Sequence, residues 1–130
     1  MPSKMVSLLL DRADMDVAAV EALVSQPLHA VADEPLGQLA QQAVEKFARA
    51  VLIAKNLKMG HEHDLSVYFD MLGRIGSPVP ADLVGLVDLT PFALRLRYDT
   101  LARLDMPPIP RDVLAEKVRA FRDWARGQLP

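Results

Sequence analysis

The chain contains no cysteine, so disulfides, thiol catalysis and cysteine-ligated zinc are all excluded. A surplus of basic charge is also missing. The formal charge of −2 and the pI near 5.9 provide no global field to recruit nucleic acid, although a local basic patch stays open. Runs of β-branched residues alternating with period two do not occur, which removes the signal of a half-buried sheet. The opening MPSKMVSLLLDRADMD has only a short apolar run, and acidic residues follow it closely. That pattern fits neither a signal peptide nor a membrane span. A soluble cytoplasmic protein with no membrane partner is expected.

What the chain does have is helical spacing. Its 130 residues suffice for one domain with a real core, and 51% hydrophobic against 25% charged residues marks it as globular. At about 100° per residue, Val6, Leu9, Ala13, Val17, Val20 and Val24 share one stripe of a first helix from Ser3 to Ser25, with Asp11, Asp14, Ala18 and Glu21 opposite. A second helix is expected from Pro35, which suits the first helical position because it lacks an N–H, to NLKMG, with Gly60 as left-handed C-cap. Leu36, Leu39, Ala40, Ala43, Val44, Phe47 and Ala50 form its inner side, and Gln41, Gln42, Glu45 and Arg49 its outer side. Its second half is apolar all round, because Leu52 and Ile53 project onto the polar face. Such a segment is central in a bundle or covered by a second subunit, so a homodimer through Val51, Leu52 and Ile53 is expected.

A third helix is predicted from Asp64 to Ile75, with Leu65, Tyr68, Phe69, Met71, Leu72 and Ile75 inward. The fourth spans Ala81 to Arg103 with a kink at Thr90-Pro91, where Thr90 can cap the second half. The last covers Arg111 to Arg126, with Leu114, Val118, Phe121 and Ala125 inward and Trp124 on the flank. The class is all-α: a single domain folded as an up-and-down bundle of four to five helices.

Two stretches could carry chemistry. In GHEHDLSVYFDML, His61, His63 and Asp64 precede the third helix. Asp64 or His63 can cap its first turn, or His63 and Asp64 can face a nucleotide or partner. A metal site would need a third ligand, and none stands at motif spacing. In ALRLRYDTL, Arg97 falls within the apolar stripe of Ala93, Leu94, Tyr98, Leu101 and Leu104. It must be paired, reach water or bind an anion. Asp64 and Glu45 are the expected carboxylate partners; alternatively Arg97 and Tyr98 supply a fork and a hydroxyl to a phosphate.

AQQAVEK (40–46), HDL (63–65) and RY (97–98), in this order, resemble the HEPN family, small helical domains named for nucleotide binding in prokaryotes and higher eukaryotes. DRADMDVAAVEAL resembles the family's first helix. The chain departs from the pattern at Asp99, where proline commonly follows the tyrosine. The resemblance implies a nucleotide site, ATP-like in its ligand, drawing on Lys46, His63, Asp64, Arg97 and Tyr98. Many members are ribonucleases whose signature is arginine, four to six residues, then histidine. No arginine stands at that distance before His29, His61 or His63, so RNA is not an expected substrate. Other members work beside a separate minimal nucleotidyltransferase, in pairs of toxin–antitoxin type. This chain lacks that enzyme's GS turn followed by D-x-D, so any nucleotidyl transfer needs a second polypeptide.

Against the nucleotide-binding module stands a ligand-free interaction protein, whose motif residues serve only a core and a dimer seam. Replacing Arg97 by alanine separates the two in thermal melts with and without nucleotide. A buried pair predicts a loss of roughly 3–5 kcal/mol; a ligand contact predicts unchanged stability and lost anion binding.

Overall fold

Ser3 sets where the first helix begins. Its Oγ accepts the Val6 amide at 3.2 Å, an N-cap bond. From there α1 runs over Lys4–Val24 in the computed structural model, which describes residues 3–27, 30, 32–58, 60, 62–92 and 110–130. Three α-helices follow, α2 (Asp33–Ala54), α3 (Leu65–Arg74) and α4 (Arg111–Gly127), with a 3₁₀ segment at Val84–Phe92 between α3 and α4. No strand occurs among the described residues. The all-α bundle expected from periodicity is the architecture found.

The predicted stripes become the core. Val6, Leu9, Ala13, Val17 and Val20 of α1 are buried, as are Leu36, Ala40, Ala43, Val44, Phe47 and Ala50 of α2. Leu65, Tyr68 and Leu72 join them from α3, and Leu114, Val118, Phe121 and Ala125 from α4. Each large apolar side chain removed from water contributes about 1.5–3 kcal/mol. Phe121 extends this core by stacking on Phe69 of α3, with ring centroids 5.5 Å apart, and by a tilted contact with Trp124.

α2 is the central element. It packs against α1, α3, α4 and the 3₁₀ segment, while α1 also meets α4, and α3 meets the 3₁₀ segment. This position explains the apolar second half of α2. Val51 and Leu52 are fully buried within the single chain, and Ile53 is half-buried. The missing polar face therefore reflects a place inside the bundle. Val51 and Leu52 have no surface to offer a second copy, which corrects the seam expected there.

Helix ends depart from expectation in instructive ways. α2 starts two residues before Pro35, on Asp33 and Glu34. Proline is still tolerated there because every N–H of a first turn is orphaned, and the two carboxylates favour that helix end. Its C-terminus is closed by Asn56 (φ 67), not by Gly60. The Leu57 amide donates to the Leu52 carbonyl at 3.0 Å and the Asn56 amide to the Ile53 carbonyl at 2.9 Å, a Schellman closure. α3 closes in the same way around Gly76 (φ 84), with Ser77 donating to Leu72.

The predicted fourth helix is not an α-helix over its described part. Residues 81–83 form a turn and Val84–Phe92 a 3₁₀ helix, while residues 93–109 lie outside the described set. Gly85 and Pro91 within nine residues make the stretch a poor α-former. Thr90 caps a different helix: its Oγ1 accepts the Leu65 amide of α3 at 3.0 Å.

The 3₁₀ segment also explains Gly37. A Cβ on this residue would lie 2.4 Å from the ring of Phe92, which is itself 2% exposed. Helix propensity favours Gly37→Ala by about 1 kcal/mol, but forcing a buried ring aside costs about 1–3 kcal/mol. The expected result is a lower melting temperature for Gly37→Ala, measured by thermal circular dichroism.

Candidate functional site

The outer side of α2, polar in sequence, is not all wet. Gln41 is 1% and Glu45 8% exposed. One turn apart, they join: the Gln41 Nε2 donates to the Glu45 carboxylate at 3.0 Å and to the His63 carbonyl at 3.2 Å. A buried carboxylate needs such donors, since desolvation of an unpaired charge is costly. The covering layer is the segment before α3, together with that helix's first turns.

That segment is held by its own bonds. Asp64 is the N-cap of α3, with Oδ1 accepting the Ser66 amide at 2.9 Å and the Ser66 hydroxyl at 2.7 Å. With Thr90 on the Leu65 amide, two orphan donors of the first turn are satisfied. The Tyr68 hydroxyl donates to the Glu62 carbonyl at 2.6 Å, and lies 3.5 Å from a Glu45 oxygen. The capping role read from HEHD therefore belongs to Asp64.

His63 does something else. Its Nδ1 lies 3.3 Å from Glu45 Oε1 and 3.4 Å from Oε2, while its side chain is 49% exposed. A proton on Nδ1 donates to the carboxylate. One turn further along α2, Arg49 is half-buried, and its Nε has no hydrogen-bond partner among the described residues. The phenol of Tyr68 is pushed well above its ordinary range by burial and, after that, by the Glu45 carboxylate; the charge of Arg49 opposes the shift. Tyr68 is thus held as a donor.

The matching sequence profile is that of the HEPN domain, over residues 6–122. The chain belongs to the HEPN family. No curated protein and no solved structure matches it. Within this HEPN domain, His63 and Asp64 stand together at the start of α3, as the motif implied. Lys46 does not join them. It pairs with Asp16 of α1 at 2.5 Å and so fastens the α1–α2 seam. Arg97 and Tyr98, and with them the expected pairing of Arg97 with Asp64 or Glu45, lie outside the described residues. Gln41, Glu62, Tyr68 and Arg49 were not among the expected site residues. The signal available for two of the four, Gln41 and Arg49, was the row Gln41, Glu45, Arg49, polar residues at four-residue steps beside an otherwise apolar helix.

The Tyr68 environment has a measurable pH consequence. A raised folded-state value means that the unfolded tyrosine ionises first, near pH 10. The contribution of Tyr68 to stability is full below that pH and falls as pH rises above it. Tyr68→Phe should cost about 1–2 kcal/mol at neutral pH, where the Glu62 carbonyl loses its donor. It should also flatten the alkaline decline, read by urea unfolding between neutral and strongly alkaline pH.

Proposed function

We propose that this HEPN domain is a nucleotide-binding module that works beside a separate nucleotidyltransferase. The observation that carries the reading is His63: a ring half in water, oriented by a carboxylate that is itself buried. An imidazole held from behind with half of its surface in water is free to meet a ligand. Arg49, whose charge acts on Tyr68 in the same cluster, adds a guanidinium, a group suited to phosphate. Family membership over residues 6–122 supports the class of ligand. The chain has no GS turn with D-x-D carboxylates, so transfer chemistry falls to a partner polypeptide, and this chain serves as its binding or regulated half.

A second reading, a ligand-free interaction module, has one observation in its favour. Gln41 donates to Glu45 and Tyr68 to the Glu62 carbonyl, both within the chain, as in a purely structural latch. Thermal unfolding with ATP and other nucleotides, with and without magnesium, separates the two. Saturating ligand at about 100 times its dissociation constant should add roughly 2.7 kcal/mol, a rise of several degrees. His63→Ala should abolish that rise while lowering the ligand-free melt only by the loss of one partly exposed contact to Glu45, about 1 kcal/mol. Absence of any shift, alone or with a co-purifying nucleotidyltransferase, sinks the nucleotide reading in favour of the latch.

A further inference from the structure

The start of α3, beside His63, has the usual ingredients of a phosphate site. A helix begins there, and its first amides and partial positive charge ordinarily favour an anion. Here those amides are spent. The His63 and Asp64 amides donate to Glu62 Oε1 at 3.3 and 3.4 Å, and the Leu65 amide to Thr90 Oγ1 at 3.0 Å. The Ser66 amide donates to Asp64 Oδ1 at 2.9 Å, and the Val67 amide to the Asp64 carbonyl at 3.1 Å. Every backbone donor from His63 to Val67 therefore already has its acceptor.

Charge points the same way. Glu62 and Asp64 are exposed on either side of His63 in the chain, and Glu45 lies buried against its ring. Against these three carboxylates the described part of the cluster sets one guanidinium, that of Arg49. The segment stays negative whether or not the imidazole carries a proton, and such a surface repels a free triphosphate. What it offers instead is acceptors. Glu62 Oε2 and Asp64 Oδ2 form no hydrogen bond among the described residues, and an ionised carboxylate only accepts. The sugar hydroxyls are the part of a nucleotide that suits such oxygens, as where a single carboxylate takes a ribose hydroxyl in dinucleotide sites. Resting on the nucleotide reading above, we propose that the site takes a ribonucleotide by its sugar, with Glu62 and Asp64 accepting the ribose hydroxyls beside His63. The phosphates then point away from this segment, where the transfer chemistry of a partner polypeptide can reach them.

Isothermal titration calorimetry of the full chain tests this with the common ribonucleosides, their 2′-deoxy forms and their triphosphates, the last in EDTA. One ribonucleoside should bind at least as tightly as its triphosphate. Its 2′-deoxy form should bind about tenfold more weakly, the usual loss with one hydrogen bond to a charged acceptor. Raising salt should tighten the triphosphate by screening the repulsion, and leave the nucleoside nearly unchanged. Glu62→Gln with Asp64→Asn keeps a side-chain oxygen at each position for the backbone amides, so the melt should not move. In that double variant the nucleoside should weaken about tenfold while the triphosphate tightens. A triphosphate that binds more tightly than its nucleoside and loosens with salt overturns the inference and leaves the nucleotide reading standing. So does a nucleoside indifferent to the 2′-hydroxyl or to the double substitution. If none of these compounds binds, the inference and the nucleotide reading fall together.

Discussion

Burying the Glu45 carboxylate is the constraint around which one end of this bundle is built. A carboxylate that is 8% exposed must be met by donors, and each donor found here fixes a piece of chain. Gln41 anchors it from within α2 and reaches on to the His63 carbonyl. His63 approaches from the connecting segment, and Tyr68 from α3. Remove the charge, and three separate elements lose their common point of reference. The cost of desolvating Glu45 is thereby converted into positional order for an exposed imidazole.

The same helix explains why the site can be rigid. α2 contacts every other described element, so its side chains are placed by packing on several sides. Pairs at the periphery then fasten the outer helices: Lys46–Asp16 to α1, and Arg111–Asp33 between the starts of α4 and α2 at 2.9 Å. Partly buried pairs of this kind fix orientation more than they add stability. The division of polar and apolar surfaces follows from the fold, with a polar cluster where α2 meets α3 and exposed Met5, Leu8 and Met15 on the outer face of α1.

Much of the fold was legible because amphipathic periodicity reports directly on burial. The stripes of α1, α2 and α4 all face inward as read. What sequence could not resolve was which surface covers a polar residue. Gln41 and Glu45 look like a wet face until a segment some twenty residues downstream folds over them. For the same reason the apolar run at Val51 and Leu52 read equally well as a dimer seam and as a bundle centre. Gly60 is the commoner residue type for a helix stop, but Asn56 closes α2, since asparagine tolerates the left-handed conformation and lies nearer the last apolar turn. The capping of α3 by Thr90 had no sequence signal at all, since it spans 25 residues. Lys46 shows the limit of motif reasoning: a residue next to Glu45 in sequence points round the helix to a different neighbour.

That Thr90 bond also bears on how the chain opens. The amide that begins α3 is protected by a hydroxyl borrowed from the 3₁₀ segment, not by a residue of its own turn. Local fluctuation of Val84–Phe92 therefore unprotects Leu65 even while the body of α3 stays wound. In amide hydrogen exchange, the Leu65 proton becomes a reporter on a segment far from it in sequence. Two stretches that look independent along the chain are thereby coupled through one hydrogen bond.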